Sequence, residues 1–320
     1  MNIILAIGRR ILSVLVTLWG VSAIIFVVLR LLPGNAVTAA MGVSEGLLTH
    51  AQVAALNRYY GVGQPAVQQY LSWLHATITG NLGISLSSRM AVSTLVGTAL
   101  PVTLELAFFA MLLGLLVGVG FGTFSALHPG RWQDDLGQTV SVVGLAVPSF
   151  ILGTVLVVFM STKFHYFPSS LGFIGFFTDP WLNLQQIIFP ALVLSLGIGA
   201  AILRTTRAAV LEVSGLNFAR TALGKGVSRR AFIWRHLFLN ALTAVVTMSG
   251  IQLGYLLGGT VIIEQIFILP GMGRLLITAI NNRDFPVVQS VTLIFAAGFV
   301  IVNSLVDVAY SLIDPRTRKR

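Results

Sequence analysis

Long apolar segments with almost no charge recur along this 320-residue chain, and they restrict its fold more than any other feature. A membrane hydrocarbon core about 30 Å thick requires roughly 20 apolar residues in a helix, and several segments reach that length. The mean hydropathy is +0.89, and only 9% of the residues are charged. Because a helix satisfies its own backbone groups in lipid, the sequence predicts an all-α integral membrane protein.

We predict six transmembrane helices from these segments. They cover residues 11–32, 101–127, 136–161, 187–203, 237–263 and 287–313. Pro148 lies inside the third helix, where a proline frees a carbonyl and kinks the backbone. This position favours either a pathway element or hinge, or a plain packing kink.

Two of the predicted helices carry glycine at every fourth position. The two series are Gly114, Gly118 and Gly122 in the second helix, and Gly250, Gly254 and Gly258 in the fifth. This spacing places small residues on one helix face and lets backbones approach closely. It is typical of packing within the chain, or of a sliding or dimer interface.

Lys and Arg residues indicate the orientation. With the N-terminus inside, fourteen of the twenty basic residues are cytoplasmic, namely Arg9, Arg10, Arg131, seven in residues 204–236 and four in the tail 316–320. The excess predicts that both termini are cytoplasmic. The same bias accounts for the high pI without nucleic-acid binding.

The spans divide the chain into four regions. They are a cytoplasmic N-terminus with the first helix (1–32), an extracytoplasmic region (33–100), a five-helix core (101–313) and a cytoplasmic tail (314–320). Tyr59, Tyr60, Tyr70 and Trp73 in the second region suit a segment at the membrane interface. That region is either a cap over a pathway or a structural spacer.

Catalytic and metal-binding motifs are missing from the sequence. There is no cysteine, which excludes disulfides and thiol chemistry within the chain. No P-loop, HExxH, GxSxG or EF-hand pattern occurs, so we predict no catalytic residue, no metal site and no bound cofactor. Glu105 and Asp307 are the ionisable candidates near the ends of predicted helices, and such groups are functional candidates by default. We take Glu105 and Pro148 as pathway candidates.

Residues 204–236 combine high positive charge with an organised pattern. They hold seven basic residues against one acid, Glu212. Gly226 suits the C′ position of a helix, and Ser228 can cap a second helix that starts at Arg229. A short helix, a tight turn and a second helix are typical of an element that docks into an acidic cleft on a soluble partner, although an ordinary cytoplasmic loop also explains the charge.

The segment "FARTALGKG" (218–226) resembles the cytoplasmic EAA loop of bacterial ABC importer permeases in the dipeptide/oligopeptide/nickel group. Arg220, Thr221 and Ala222 take the places of Glu-Ala-Ala, and Gly226 matches the marker glycine. "HLFLNALTAVVT" (236–247) resembles the segment that follows in the family, except that Leu239 replaces an arginine and Ala244 a proline. These departures predict a straighter start of the fifth helix.

The resemblance extends over nearly the whole chain. "LLPGN" (31–35), "GNLGISL" (80–86), "LPVTLELA" (100–107) and "IIEQIFILPGMGRLLITAINNRDFPVVQ" (262–289) all look like the family. It implies the type I importer (MetI-like) permease fold in a bacterial inner membrane. It also implies a homologous second permease, two ATP-binding subunits or one fused ATPase that bind ATP and Mg²⁺, and an extracytoplasmic substrate-binding protein.

The resemblance also implies roles for particular residues. The predicted coupling residues are Phe218, Ala219, Arg220, Thr221, Ala222 and Gly226, followed by Ser228, Arg229 and Arg230. The predicted outer-gate or binding-protein contacts are Gly271, Gly273, Arg274, Arg283 and Asp284.

The most favoured function is therefore a transport subunit for di- or oligopeptides, with nickel, a metal chelate or glutathione as alternative substrates. A membrane-embedded enzyme would need a catalytic group inside the helices. An ion-coupled secondary carrier would need internal repeats and midplane charges. The sequence shows neither pattern.

Overall fold

The computed structural model describes residues 3–31, 64–165 and 172–313. In these ranges the secondary structure is helical, apart from one isolated β-bridge between Ile84 and Ala91. The helices are α1 (Ile3–Leu31), α2 (Ala66–Ile78), α3 (Val92–Ala126), α4 (Trp132–Ala146), α5 (Ser149–Phe164), α6 (Pro180–Gly215), α7 (Asn217–Gly224), α8 (Arg229–Ile266), α9 (Met272–Asn281) and α10 (Phe285–Ile313). Tyr59, Tyr60 and the predicted tail 314–320 lie outside the described residues.

Four helices of the described chain are long and apolar enough to cross a membrane. They are α3, α6, α8 and the Phe285–Val306 part of α10. The pair α4 and α5 passes the same test together, which gives up to five spans, while the apolar part of α1 (Leu12–Val28) is shorter. The predicted all-α membrane fold is confirmed, and the count of six remains a prediction.

The third predicted span, 136–161, is not one continuous helix. The chain forms α4 and α5, which are bent by 92° at Val147 and Pro148. The hydrogen-bond ladder of α4 ends with the Val147 N–H donating to the Val143 carbonyl at 3.1 Å. Pro148 has no N–H to continue the ladder, and its backbone is extended, with a ψ of 135°. The sequence predicted a kink, whereas the structure has a full break.

Helices α3 and α6 extend well beyond their predicted spans. Helix α3 begins at Val92 and carries Pro101 in its interior, whereas the predicted span began at residue 101. Helix α6 begins at Pro180 because the Asp179 carboxylate accepts hydrogen bonds from the N–H groups of Trp181 and Leu182, at 3.0 and 3.1 Å. Polar capping, rather than hydropathy, therefore determines where α6 starts.

The chain forms two compact units, Met1–Val102 with Pro270–Val300 and Thr103–Leu269 with Ile301–Arg320. In the first unit, α1 and α2 meet through Phe26 and Tyr70, whose ring centroids are 5.2 Å apart. The Tyr70 hydroxyl also hydrogen-bonds to Ser22 at 2.8 Å. A second cluster joins the start of α3 to α9 and α10 through Val92, Val96, Ala99, Met272, Ala279, Val287, Val288 and Val291.

In the second unit, the buried helix α6 packs against α4 and α8 and against α3. Each glycine of the α3 series lies against α6, and a Cβ atom at Gly118 would stand 2.7 Å from the Ile202 Cβ. This series therefore packs within the chain. In α8 the glycine spacing serves close packing only in part. Gly250 lies against Val306, whereas a Cβ at Gly258 would have no neighbour within 4 Å.

Candidate functional site

Helix α7 presents one buried face and one exposed face within the second unit. Ala219 and Ala222, one turn apart, are buried in a cluster with residues of α6 and α8. Phe218, Arg220 and Thr221 are exposed. The predicted coupling residues thus separate into two alanines that fix the helix and three side chains that remain available for contact.

The turn after α7 has the geometry that the sequence predicted. Gly226 has a φ of +75°, and its N–H donates to the Leu223 carbonyl at 3.0 Å. The Val227 N–H donates to the Ala222 carbonyl at 3.3 Å. These two bonds form a Schellman motif, which satisfies the last carbonyls of the helix and favours glycine at the left-handed position.

Ser228 occupies the N-cap position of α8 as predicted, although the described structure has no capping hydrogen bond from its side chain. Arg229 and Arg230 follow and are exposed. The segment Phe232–Phe238 is π-helical and leads without a break into the long membrane helix. Phe232 and Leu237 of this segment are buried against α7, so the predicted second helix and the fifth span form one element.

The exposed surface of this element is both apolar and basic. Phe218 and Leu223 are 41% and 53% exposed, and the basic residues of the same segment, Arg220, Lys225, Arg229 and Arg230, are also exposed. Exposed apolar and basic side chains in one short segment suit a partner cleft that has both apolar and acidic surface.

Asp134 and Arg207 form an ion pair that the sequence analysis did not find. The Arg207 guanidinium donates to both carboxylate oxygens of Asp134, with Nη2 at 2.8 Å from Oδ2. Asp134 also accepts from the Ser125 hydroxyl at 2.7 Å and from the Gly130 N–H at 3.1 Å. The carboxylate is buried and joins the end of α3, the following turn, the start of α4 and α6.

Arg207 had been counted only as one of the positive charges of residues 204–236. Its partner lies 73 positions away, a pairing that no local pattern reveals. The sequence did contain one indication that Asp134 is special. The chain has only ten acids, and two of them, Asp134 and Asp135, are adjacent in the first turn of a helix, where acids are favourable.

The predicted outer residues lie in the first unit, around α9. Gly271 and Gly273 are buried at the start of α9, Arg274 is half-buried, and Arg283 is exposed with a φ of +53°. Asp284 is only 1% exposed. Its Oδ2 atom accepts hydrogen bonds from the Ser85 hydroxyl, the Ser87 hydroxyl at 2.8 Å and the Ser87 N–H at 3.1 Å.

This geometry separates two neighbours that the sequence analysis had grouped together. Asp284 holds the loop around Ser85 and Ser87 within its own chain, whereas Arg283 is open to contact. The serine-rich segment "SLSS" (85–88), which overlaps the motif "GNLGISL" (80–86), was the sequence signal for the partners of Asp284.

Polar side chains also occur inside the apolar helices of the second unit. Glu105 lies well within α3, since the helix starts earlier than predicted. Glu264, which the sequence analysis missed because it placed the span's end at 263, is fully buried and accepts from the Thr103 hydroxyl at 2.7 Å. Within the described residues, no group of three or more His, Cys, Asp or Glu side chains is placed to hold a metal ion.

Comparison with known families gives two matches that together cover nearly the whole chain. Residues 118–319 match the family described as binding-protein-dependent transport system inner membrane component. Residues 3–107 match the N-terminal domain described for the membrane components of the same transport systems.

Individual relatives agree with this assignment. The chain is 35% identical to a probable peptide ABC transporter permease protein of Sinorhizobium fredii, over 97% of this chain and 98% of the relative. It is 34% identical to glutathione transport system permease proteins of Escherichia coli (strain K12) and Shigella dysenteriae, over 97% of each chain. The chain therefore belongs to the family of inner membrane components of binding-protein-dependent ABC transport systems.

Proposed function

We propose that this chain is one permease subunit of an ATP-driven importer for di- and oligopeptides, with six transmembrane helices and both termini in the cytoplasm. A homologous second permease completes the pathway, and an extracytoplasmic binding protein delivers the solute. Two ATP-binding subunits, or one fused ATPase, bind ATP and Mg²⁺. The chain itself binds no cofactor and catalyses no reaction.

The two-faced helix α7 is the observation that carries this proposal. Its buried alanines pack in one cluster with Val210 and Val213 of α6 and with Phe232 and Leu237 of α8. A partner that displaces the exposed face therefore also displaces two long membrane helices, because packed cores do not deform continuously. Such a contact converts closure of an ATPase into movement of the pathway.

Peptides are the favoured substrate because of the relatives' names. One relative is named for peptides and others for glutathione, and glutathione is itself a tripeptide. Glutathione import is thus the second candidate, and nickel or a metal chelate is a further alternative.

Uptake in the native host tests the substrate. A strain that lacks this chain is compared with the same strain complemented by it, using labelled trialanine, labelled glutathione and ⁶³Ni²⁺. We expect the complemented strain alone to accumulate trialanine. Accumulation of glutathione only would move the assignment to the second candidate, and accumulation of nickel only would contradict the peptide proposal.

Purification tests the assembly. The tagged chain, extracted in mild detergent after cross-linking in intact membranes, is expected to bring down a second permease and one or two P-loop ATPases. Recovery of the chain with no ATPase after cross-linking would contradict the importer proposal and favour a secondary carrier.

A further inference from the structure

A cavity of about 310 Å³ lies beside the break between α4 and α5. Its lining comes from α4, α5, α6 and α8, all within the second unit, and includes Gly144, Pro148, Gly197, Gln252 and Tyr255. This volume is at the lower end of the range for small-molecule sites. Gly197 lies near the middle of α6, so the cavity is far from both ends of this membrane helix.

The helix break exposes backbone groups at this cavity. Position 148 would normally donate to the Gly144 carbonyl, but it is a proline and has no N–H. Ser149 is the first residue of α5, where the N–H has no acceptor within the helix. Backbone of this kind is tolerated at membrane depth where it is buried in protein or lines a cavity, and broken helices mark the substrate sites of many transporters.

The side chains in the lining are neutral. Gln252 contributes an amide with donors and an acceptor, and Tyr255 contributes a hydroxyl on a side chain that is 72% exposed. The other lining residues are glycine, proline, serine and aliphatic residues, with no charged side chain, histidine or cysteine among them. A peptide bond presents one donor and one acceptor, which is the chemistry this lining complements.

We propose that this cavity binds the main-chain amide groups of the transported peptide, with Gln252 and Tyr255 as its polar contacts. Main-chain recognition suits a pathway that passes many peptide sequences, because the amide group is common to all of them. The assignment rests on the peptide-import function proposed above.

Cysteine labelling of the complete importer tests the contact directly. The chain has no native cysteine, so Gln252→Cys and Tyr255→Cys each introduce its single thiol. Membrane vesicles with the binding protein and ATP are treated with N-ethylmaleimide, with or without excess trialanine. Thr162→Cys, an exposed position on α5 outside the lining, is the control.

We expect trialanine to slow labelling of both lining cysteines by about fivefold, as for a site that is mostly occupied, and to leave the control unchanged. Equal labelling with and without trialanine at both lining positions would overturn the assignment and indicate a surface covered by lipid or by the second permease. Absence of labelling at both positions would overturn it as well.

Cavity-filling variants give a second measurement if the cysteine variants do not import. A Cβ at Gly197 or Gly259 would meet its nearest neighbour at 3.8 or 3.7 Å, so alanine fits the fold and reduces the cavity. In each variant the added methyl group should keep the peptide from one of its hydrogen bonds in the cavity. We therefore expect Gly197→Ala and Gly259→Ala to lower trialanine uptake about fivefold, which is the scale of one lost hydrogen bond. Gly120→Ala, which adds its Cβ to open space, should stay within about twofold of the wild type.

Unchanged uptake in both cavity variants would overturn the cavity assignment. Uptake by the wild-type importer distinguishes a wrong cavity assignment from a wrong proposed function. If the wild type imports neither trialanine nor glutathione, peptide import is wrong and the peptide site falls with it. If it imports trialanine but the cavity measurements are negative, only the cavity assignment is wrong.

Discussion

At the scale of single residues, Asp134 and Arg207 form an ion pair that involves the helix leading into the proposed coupling helix α7. Arg207 lies on α6, the helix that leads into α7, and its side chain is 24% exposed, whereas Asp134 is buried. A bidentate pair between an arginine and a carboxylate fixes orientation as well as distance. It therefore holds α6 in register with the start of α4.

Asp134→Asn tests this role. The substitution removes the charge and leaves the partly buried guanidinium of Arg207 without its counter-charge. We expect a loss of about 1–3 kcal/mol in the free energy of unfolding, measured as a lower thermal midpoint of the purified importer. Asp135→Asn, at the exposed neighbouring position, is the matched control and should change the midpoint little. Equal effects of the two variants would contradict the account.

Gly226 offers a second test at the residue scale. A left-handed backbone costs a non-glycine residue roughly 1–2 kcal/mol, so Gly226→Ala should loosen the turn after α7 and reduce solute-stimulated ATP hydrolysis by the complete importer. Gly224→Ala, at a helical position with open space around it, should leave that activity near the wild-type level. A normal activity in Gly226→Ala would show that the turn geometry does not matter for coupling.

The sequence predicted Gly226 but not Asp134, and the difference is physical. A left-handed C′ glycine is specified by its immediate neighbours, so a local pattern reveals it. The partner of Asp134 depends on how distant helices pack. Asp284 shows the same limit, since its burial under Ser85 and Ser87 follows from the tertiary fold.

At the scale of elements, the glycine series of α3 determines how closely α3 approaches α6. A Cβ at Gly118 would lie 2.8 Å from the Gly199 carbonyl oxygen, and backbone at that distance cannot give way without moving the helix. The series is therefore a packing surface, and its spacing along the sequence was sufficient to locate it.

Gly118→Ala and Gly120→Ala form a matched pair on the same helix. We expect Gly118→Ala to destabilise the protein by about 1–3 kcal/mol through overpacking. Gly120→Ala should be neutral or stabilising by up to about 1 kcal/mol, because alanine is the better helix former. Thermal unfolding in one detergent compares the two, and a Gly118→Ala protein as stable as Gly120→Ala would contradict the packing described here.

Hydropathy located the long helices but not all of their ends, because burial in lipid imposes the same requirement on every span. It did not reveal the 92° break at Pro148. A proline in an apolar segment is compatible with a mild kink or a full break, and the neighbouring helices decide between them. The extra turns of α3 and α6 were missed because capping and tertiary contacts, not apolarity, determine helix ends.

At the scale of the whole molecule, the chain is a transport component, and the proposal assigns ATP hydrolysis to partner subunits. We expect the purified chain alone to hydrolyse no ATP above an empty-detergent background. The complete importer, purified in the same way, should hydrolyse ATP and respond to the loaded binding protein. ATP turnover by the lone chain, retained after removal of contaminating ATPases, would contradict its role as a permease.

Site-directed cross-linking at α7 tests the central claim most directly. Thr221→Cys places a single thiol on the exposed face of α7, the proposed coupling helix, and a thiol-reactive photocross-linker attached there is activated in native membranes. The account predicts a covalent adduct with a P-loop ATPase, and no such adduct from Thr162→Cys on α5. If Thr221→Cys captures no ATPase, or if both positions capture it equally, α7 is not the coupling element.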